Sequence, residues 1–412
     1  MTRTRDLDIV VYGATGFVGR LAADHLARHA PGGTRIGLAG RSRAKLERVR
    51  ESLPGASDWP ILIASADDGA SLTALAESTQ VVVSTVGPYA KYGIDLVRAC
   101  AETGTDYADL SGEVLFARES IDRYHDIART TGARIVHACG FDSIPSDLGV
   151  HVLHDRVTAD GAGTLTDTTL VVSSLRGGLS GGTIDSIRTL VDAVRSDRAA
   201  RSLVLQPYSL SPDASKEPDL GRQLDAELVK GSDIAPDLAG VLAPFLMAST
   251  NTRVVRRSNA LLDWAYGRTF RYREVMSVGA SPLSPLLAAG VAAGLGVLAA
   301  GLALPPTRWA LDRMLPKPGE GPSEKTRRTG HFTTEVYTTT STGARYMSRM
   351  RAQGDPGYAA TAVMLGESAL ALALDRAVLP EAAGVLTPAT AIGNRLVERL
   401  RDAGVEITVR SM

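Results

Sequence analysis

The chain has 412 residues, which is room for two domains on the usual scale of about 100–200 residues each. Lysine and arginine together number 45, as do aspartate and glutamate, and the formal net charge of zero argues against a general nucleic-acid binder. The two cysteines exclude both a disulfide scaffold and a four-cysteine metal site.

The N-terminus, MTRTRDLDIV, is polar before it enters an apolar run. It has neither the apolar stretch nor the small-residue cleavage site of a signal peptide. We therefore expect a cytoplasmic protein.

A glycine-rich loop follows the first predicted strand. Residues 7–12, LDIVVY, are β-rich, and the segment RLAADHLARHA beyond the loop has apolar residues at helical spacing. Between a strand and a helix, such glycines let the backbone approach a pyrophosphate, whose charge faces the free N–H groups at the helix start. We predict a nucleotide-binding loop made of Gly13, Ala14, Thr15, Gly16, Phe17, Val18 and Gly19.

The end of the second predicted strand, 34–40, decides between the two nicotinamide dinucleotides. NAD enzymes usually carry an acidic residue here, which binds the ribose hydroxyl. This chain instead has Arg41, Ser42, Arg43 and Lys45, a set that suits the 2′-phosphate of NADP. The alternative is a solvated helix start, although basic charge at that end opposes the helix dipole. We predict NADP(H) as the cofactor.

Strands and helices keep alternating to about residue 150, which is typical of a Rossmann fold with a doubly wound parallel sheet. Further strands are predicted at 59–65, 81–85, 107–110 and 133–138. Such sheets bind ligands beyond the carboxyl ends of their strands. The loops expected to line the cleft are 86–93, 110–113 and 138–147. Within the first of them, Gly87 and Pro88 should form a turn over the cofactor.

The pattern changes after residue 150. Strand-like segments recur at 166–183, 270–278, 331–340 and 342–352, and a polar, Pro-rich excursion covers 206–240. A long helix should run from Pro356 or Gly357 to about Arg376. These elements predict an α+β domain for substrate binding and dimerisation, with a mostly antiparallel sheet.

The predicted division of the chain has three parts. They are an NADP-binding domain at 1–150, a substrate domain at 151–386, and a C-terminal helix and strand at 387–412. The helix should begin at a Thr387-Pro388 cap and return to the first domain.

One segment of the substrate domain, 286–304, has no polar side chain and the length of a membrane span. Alanine and glycine dominate it, so insertion into a bilayer would be only marginally favourable. Three interpretations stay open: a buried or dimer-packed helix, a helix at the lipid surface on the inner face of the cell membrane, and a true span.

Several separated motifs resemble those of the saccharopine dehydrogenase-like oxidoreductases, and in particular their trans-acting enoyl reductase branch. They are GATGFVG, AGRSRAKL, VGPYAKYG, YADLSGE, HACGFDSIPSDLG, PGEGPSEKTRRTGHF, GDPGYAATAVMLGESALAL and GVLTPATAIGNRLVERLRDAG. The resemblance implies NADPH-dependent reduction of a carbon–carbon double bond in a polyketide or long-chain acyl intermediate. It also implies a partner, the acyl-carrier domain of a polyketide synthase, and a place in cell-envelope lipid biosynthesis of the phthiocerol or phenolphthiocerol type.

That reaction needs a hydrogen-bond donor for the enolate oxygen and an acid or water for the α-carbon. Tyr89, Lys91 and Tyr92 follow the fourth strand, where a nicotinamide would lie, so we predict one of them as the donor. The alternative is that the two tyrosines only pack.

Other polar residues near the strand ends have simpler interpretations. Asp142 and Ser143 are typical of a helix N-cap, and Glu113 opens a helix. His137 and Cys139 flank a buried strand and are expected in the core. No cluster of His, Cys and carboxylates has metal-ligand spacing, so we predict no metal.

Basic residues form two further clusters, which are either solvated surface or docking sites for an acidic acyl-carrier domain. They are Arg253, Arg256 and Arg257, and Lys325, Arg327 and Arg328.

Two other functions stay open. A saccharopine-type amino-acid dehydrogenase would need paired basic residues for the carboxylates of its substrate. A non-catalytic scaffold that senses NADP is compatible with the lack of an obvious acid/base pair.

Overall fold

The residues that the structure describes form two seven-stranded sheets. The computed structural model describes residues 5–177, 181–303, 307, 309 and 322–412. Leu304, the last residue of the predicted apolar segment, lies outside the described residues.

The first sheet is parallel throughout, which confirms the predicted Rossmann fold. Its strands are β1 (Leu7–Tyr12), β2 (Ile36–Gly40), β3 (Ile61–Ile63), β4 (Thr79–Ser84), β5 (Asp106–Asp109), β6 (Arg134–Val136) and β13 (Gly384–Leu386). Their order across the sheet is β13-β6-β5-β4-β1-β2-β3. β13 pairs with β6, so the chain re-enters this sheet just before residue 387.

Helices cover both faces of this sheet, and the central strands are apolar on both sides for that reason. The helices of this part are α1 (Phe17–His29), α2 (Arg43–Ser52), α3 (Gly69–Ser78), α4 (Tyr89–Tyr92), α5 (Ile94–Thr103), α6 (Val114–Thr131) and α7 (Ile144–Ala159). A later helix, α13 (Thr361–Leu374), is buried almost all round against β1, β4 and α1. The predicted long helix is therefore a core element of the part of the chain that contains the parallel sheet.

The second sheet is antiparallel except where β7 pairs with β10, which confirms the mostly antiparallel prediction. Its strands are β7 (Leu165–Arg176), β8 (Val229–Lys230), β9 (Val241–Pro244), β10 (Arg271–Met276), β11 (His331–Thr340), β12 (Arg345–Gln353) and β14 (Glu406–Ser411). The order is β14-β12-β11-β7-β10-β9-β8. β11 and β12 correspond to the predicted strand-like segments 331–340 and 342–352, and they pair as a hairpin.

The remaining helices connect and flank the second sheet. They are α8 (Gly181–Ser196), α9 (Arg198–Leu205), α10 (Ala248–Leu261), α11 (Ser284–Ala303), α12 (Glu324–Thr329), α14 (Pro388–Ala391) and α15 (Asn394–Asp402). Short 3₁₀ turns lie at Ala214–Lys216, Gly231–Asp233 and Arg376–Val378, and a π-helical turn at Pro356–Ala360 leads into α13. Thr387 caps α14 with a reciprocal capping box, as its position before Pro388 predicts.

The prediction that Arg253, Arg256 and Arg257 form a surface patch is wrong. The three arginines lie on α10, and all of their side chains are buried. Asp225 accepts from Arg253 Nη1 at 2.6 Å and from Arg256 Nη1 at 3.2 Å. Arg257 donates to the carbonyl oxygens of Leu210 and Val385. These arginines hold the polar excursion at 206–240 onto the fold and cannot bind a partner protein.

α11 is the most exposed apolar element of the described chain. It contacts α8 and the strand β9, yet only 12% of the span Ser284–Leu302 is buried. Leu286 and Val297 are 72% and 71% exposed. A second stretch, Pro356–Leu374, is also long and apolar enough to cross a membrane, but 78% of it is buried, as expected of a core helix. The described part of 286–304 is therefore not buried within this chain, which leaves a dimer-packed helix, a helix at the lipid surface and a true span as predictions.

Candidate functional site

The glycine loop between β1 and α1 is built around contacts that exclude any side chain. An added Cβ on Gly19 would lie 2.2 Å from the carbonyl oxygen of Gly13. Gly13 itself has a φ of +88°, and a Cβ there would meet Thr85 Oγ1 at 2.7 Å. Gly13 and Gly19 thus allow the loop to pack closely against the start of α1, as a pyrophosphate site requires.

The start of α1 presents the N–H groups that such a site uses. Gly16 is the N-cap and offers no side-chain hydrogen bond, and the first turn holds no acidic residue. The N–H groups of Phe17, Val18 and Gly19 have no intrahelical acceptor because they belong to this first turn. An anion is the ligand that this helix end favours.

The predicted 2′-phosphate site lies at the end of β2. Arg41, Arg43 and Lys45 are exposed there and Ser42 is half-buried. Ser42 is the N-cap of α2 without a side-chain hydrogen bond, and the first turn of α2 contains no acidic residue. Basic side chains at a helix N-terminus are unfavourable unless an anion joins them. The residues present therefore fit NADP(H).

Replacing both Arg41 and Arg43 by serine should weaken NADPH binding by roughly 100-fold or more, because each charge-assisted hydrogen bond to a phosphate is worth about 1.5–3 kcal/mol. Binding of NADH, which has no 2′-phosphate, should change little. Fluorescence titration of both nucleotides measures this. The control is Arg48→Ser, an exposed arginine further along α2. Equal weakening of NADH and NADPH would contradict the assignment.

The loop after β4 carries the turn predicted to lie over the cofactor. Gly87 and Pro88 are joined by a cis peptide bond and line the cleft. Glu113 fixes the following helix α4: its carboxylate accepts from the N–H groups of Tyr89 at 3.0 Å and Ala90 at 2.8 Å. Glu113 also accepts from Ser186 Oγ at 2.9 Å. Glu113 opens α6, as predicted, since it stands at the N-cap position of that helix, but its side chain binds the start of α4 instead.

Of the three predicted hydrogen-bond donors, the structure places one in the cleft. Tyr89 is buried there, and its hydroxyl donates to the carbonyl oxygen of Ser84 at 3.1 Å. Burial raises its pKa well above the ordinary value for tyrosine. Lys91 is exposed, with its ammonium 4.9 Å from the ring centroid of Tyr92, and neither residue lines the cleft. A direct role for one of the three stays a prediction.

The cleft has a volume of about 300 Å³ and lies between the nucleotide loop and the second half of the chain. The predicted loops do line it, through Gly87–Ala90, Leu110, Gly112, Glu113, Ala138, Gly140 and Asp142. Its far wall was not predicted: Ile187 and Leu190 of α8, Leu115, Leu246 and Met247 give it an apolar surface. The i, i+3 spacing of Ile187 and Leu190 was the available sequence signal. No Lys, Arg or His lies among the described residues that line the cleft.

Tyr358 joins the two halves of the cleft. Its ring meets that of Phe17 edge-on, with centroids 4.9 Å apart. Its hydroxyl accepts from the N–H of Gly181 at 3.2 Å, at the first residue of α8. Tyr358 therefore contacts both the start of α1 and the start of α8 and fixes their relative position.

Asp142 and Ser143 do not cap α7, contrary to the prediction. Ser143 stands at the N-cap position but makes no cap hydrogen bond, because its hydroxyl donates to Asn251 Oδ1 at 2.9 Å. Asp142 is half-buried and its carboxyl has no hydrogen-bond or ion-pair partner among the described residues. Burial raises its pKa to about 6. A free carboxyl group therefore lines the cleft.

His137 and Cys139 are buried core residues, as predicted. His137 Nδ1 lies 2.8 Å from Asp109 Oδ2 and its Nε2 lies 2.9 Å from Ser120 Oγ. Burial raises the pKa of the Cys139 thiol. Within the described chain, no group of three or more His, Cys, Asp or Glu side chains could hold a metal ion.

Comparisons with known proteins agree with the geometry. The family model of the saccharopine dehydrogenase NADP binding domain matches residues 9–136. An inferred trans-acting enoyl reductase of Mycobacterium tuberculosis is 56% identical over 99% of this chain and 98% of its own length. A trans-acting enoyl reductase of Mycobacterium ulcerans is 51% identical over 98% of each chain.

Among solved structures, saccharopine dehydrogenase (L-Glu forming) of Saccharomyces cerevisiae is similar in fold. The TM-score is 0.54 at 15% identity, over 98% of this chain and 99% of that one. The resemblance predicted from the separated motifs is confirmed.

Proposed function

The chain belongs to the family of the trans-acting enoyl reductases, and on that premise we propose that it reduces the double bond of a carrier-bound enoyl chain with NADPH. The observation that carries this proposal is the cleft itself. The nucleotide loop forms one side of it, and the apolar wall from α8 and Leu246–Met247 forms the other. A hydrocarbon chain fits such a wall, since burying its methylene groups is favourable at about 0.8 kcal/mol each.

When bound, NADPH supplies the hydride that adds to the β-carbon of the double bond. The loop from Gly13 to Gly19 and the first turn of α1 bind its pyrophosphate, and Arg41 and Arg43 bind its 2′-phosphate. Glu113 holds α4, and with it Gly87 and Pro88, at the edge of the cleft. Ile187 and Leu190 exclude water from the opposite side.

The same lining speaks against an amino-acid dehydrogenase of the saccharopine type. A substrate with several carboxylates requires arginine, lysine or histidine in the site. The described lining of the cleft has none of them.

The carrier domain docks, in this proposal, on α12. Lys325 and Arg328 of this short helix are exposed. Arg327 lies over the ring of Phe17, with its guanidinium carbon 5.2 Å from the ring centroid, so the basic helix stands next to the cleft-lining start of α1. An acidic carrier domain steered to this surface would bring its acyl chain to the cleft.

NADPH oxidation with a panel of 2-enoyl thioesters tests the function, each chain being offered on an acyl-carrier domain and on a small thioester mimic. We expect turnover of enoyl thioesters and none of saccharopine with NADP⁺. In the double variant Lys325→Glu, Arg328→Glu, the KM for the carrier-bound chain should rise about tenfold, while that for the mimic stays unchanged. Tight NADPH binding without turnover of any substrate would favour the non-catalytic scaffold.

We place the protein in the cytoplasm, at the inner face of the cell membrane, with α11 on the lipid surface. The described part of α11 carries no charged residue and exposes apolar side chains such as Leu286 and Val297, while its contact with α8 places it near the apolar wall of the cleft. Membrane lipids would cover this helix close to the point where a long acyl chain enters. The assignment to cell-envelope lipid biosynthesis of the phthiocerol or phenolphthiocerol type follows from the family resemblance.

Cosedimentation of the full chain with phospholipid vesicles tests the membrane proposal. We expect most of the protein in the vesicle pellet, and at least a tenfold weaker partition for Leu286→Glu combined with Val297→Glu, since both side chains are exposed. The control is Ile63→Glu, an exposed apolar residue of the other half. A concentration-dependent dimer without vesicle binding would show instead that α11 packs against a second copy.

A further inference from the structure

The proposed reduction needs a proton as well as a hydride, because the electron pair of the double bond ends on the α-carbon or, as an enolate, on the thioester oxygen. A suitable acid must line the cleft and carry a proton near neutral pH. The described lining contains five side chains that could donate one: Tyr89, Glu113, Asp142, Asp185 and Tyr358.

Three of the five are committed to other contacts. Glu113 accepts hydrogen bonds from Tyr89, Ala90 and Ser186, so its carboxylate serves as an acceptor. The hydroxyl of Tyr89 already donates a hydrogen bond to the carbonyl oxygen of Ser84 at the end of β4. Tyr358 binds the first residue of α8.

Asp185 is a half-exposed residue of α8, and its carboxyl already has an ion-pair partner, Arg188, whose Nη1 lies 3.8 Å away. Asp142 differs from all four, since no described residue bonds to its carboxyl. It follows the carboxyl end of β6, on the same edge of the sheet as the nucleotide loop. No cationic side chain is among the described residues of the lining to hold it ionised.

Resting on the proposed function, we propose that Asp142 is the general acid of the reaction and protonates the α-carbon of the substrate. Its O–H bond breaks as the new C–H bond forms, while the cofactor's hydride has become the hydrogen on the β-carbon. The products are the saturated acyl thioester, NADP⁺ and the Asp142 carboxylate, which regains its proton from solvent.

The surroundings of Asp142 suit this role. Its pKa is raised to about 6 because burial disfavours the charged carboxylate. A substrate chain that displaces water from the cleft would raise it further, toward the pH of the cytoplasm. Ser143, held by Asn251, fixes the backbone next to Asp142 and so positions the carboxyl.

The test is the variant Asp142→Asn, which keeps the size of the side chain and removes the acid. We expect kcat for an enoyl thioester to fall by roughly 100-fold, the lower end of what general acids contribute. NADPH affinity, measured by fluorescence titration without substrate, should stay within about twofold. The control is Asp126→Asn, whose side chain is 90% exposed and remote from the cleft.

The pH dependence separates a catalytic role from a structural one. An acid works in its protonated form, so the wild-type kcat should fall as the pH rises through the pKa of Asp142, and this limb should be missing in Asp142→Asn. A variant that keeps the wild-type kcat and the limb would overturn the inference and leave the proposed function standing. A parallel loss of kcat and NADPH affinity would also overturn it. A wild-type protein without activity on any enoyl thioester would overturn the proposed function, and the inference with it.

Discussion

Gly19→Ala should abolish NADPH binding at concentrations up to about 100 times the wild-type Kd. The added Cβ would lie 2.2 Å from the carbonyl oxygen of Gly13 and 2.8 Å from Thr85 Oγ1. The first of these atoms is backbone, so the loop itself must move, and this is the loop that we propose binds the pyrophosphate. The free energy of unfolding should also fall, by about 1–3 kcal/mol, as in other overpacked sites.

Two further glycines turn this into a graded series. A Cβ on Gly16 would lie 3.2 Å from the same carbonyl oxygen, so Gly16→Ala should weaken binding less than Gly19→Ala. Gly32 lies in the turn after α1, where a Cβ meets nothing within 4 Å, so Gly32→Ala should bind NADPH like the wild type. Fluorescence titration and urea unfolding give both quantities. Wild-type affinity in Gly19→Ala would show that the loop is not the nucleotide site.

The nucleotide-binding half could be predicted from the sequence because its signals are local. The strand β1, the glycines and the helix α1 follow each other directly, and Gly19 is required by an approach to Gly13, only a few residues away. The alternation of strands and helices then allows very few sheet topologies. The cap at Thr387 was predictable for the same reason, since capping depends on residues within one turn.

The features that sequence reasoning missed depend on partners far along the chain. Asp142 and Ser143 have the local pattern of a helix N-cap. The hydroxyl of Ser143 instead donates a hydrogen bond to Asn251, which lies 108 positions away along the chain. Ser143 is engaged there, and no residue in the described part of the chain bonds to the carboxyl of Asp142, which lines the cleft. The apolar wall of the cleft includes residues of α8, which lies beyond the Rossmann part of the sequence and so could not be predicted from that part alone.

The arginine cluster of α10 also depends on partners far along the chain. Arg253, Arg256 and Arg257 are close in sequence, and their charge alone predicts a solvated surface. The carboxylate of Asp225, 28 positions from Arg253, and the carbonyl oxygens of Pro207 and Leu210 in the polar excursion make their burial possible. A segment that has no periodicity of its own is therefore fixed by charges on a neighbouring helix.

Asp225→Ala should lower the free energy of unfolding by about 3–5 kcal/mol, because it removes the carboxylate shared by two buried cations. Arg253 and Arg256 are each 3% exposed, and their Nε atoms already lack a hydrogen-bond partner. Burial lowers the pKa of Arg256, and the nearby carboxylate of Asp225 acts against that shift.

Urea unfolding measures the loss in the free energy of unfolding. Two further variants test whether this loss comes from the buried ion pairs of Asp225. Asp225→Asn keeps an acceptor for one guanidinium without the charge and should cost less than Asp225→Ala. Glu119→Ala, which breaks an exposed i, i+4 pair with Arg123, should cost under about 0.5 kcal/mol. If Asp225→Ala were as mild as Glu119→Ala, the two arginines would have to reach water in the folded protein. The cluster would then be open to a partner after all, as its sequence first suggested.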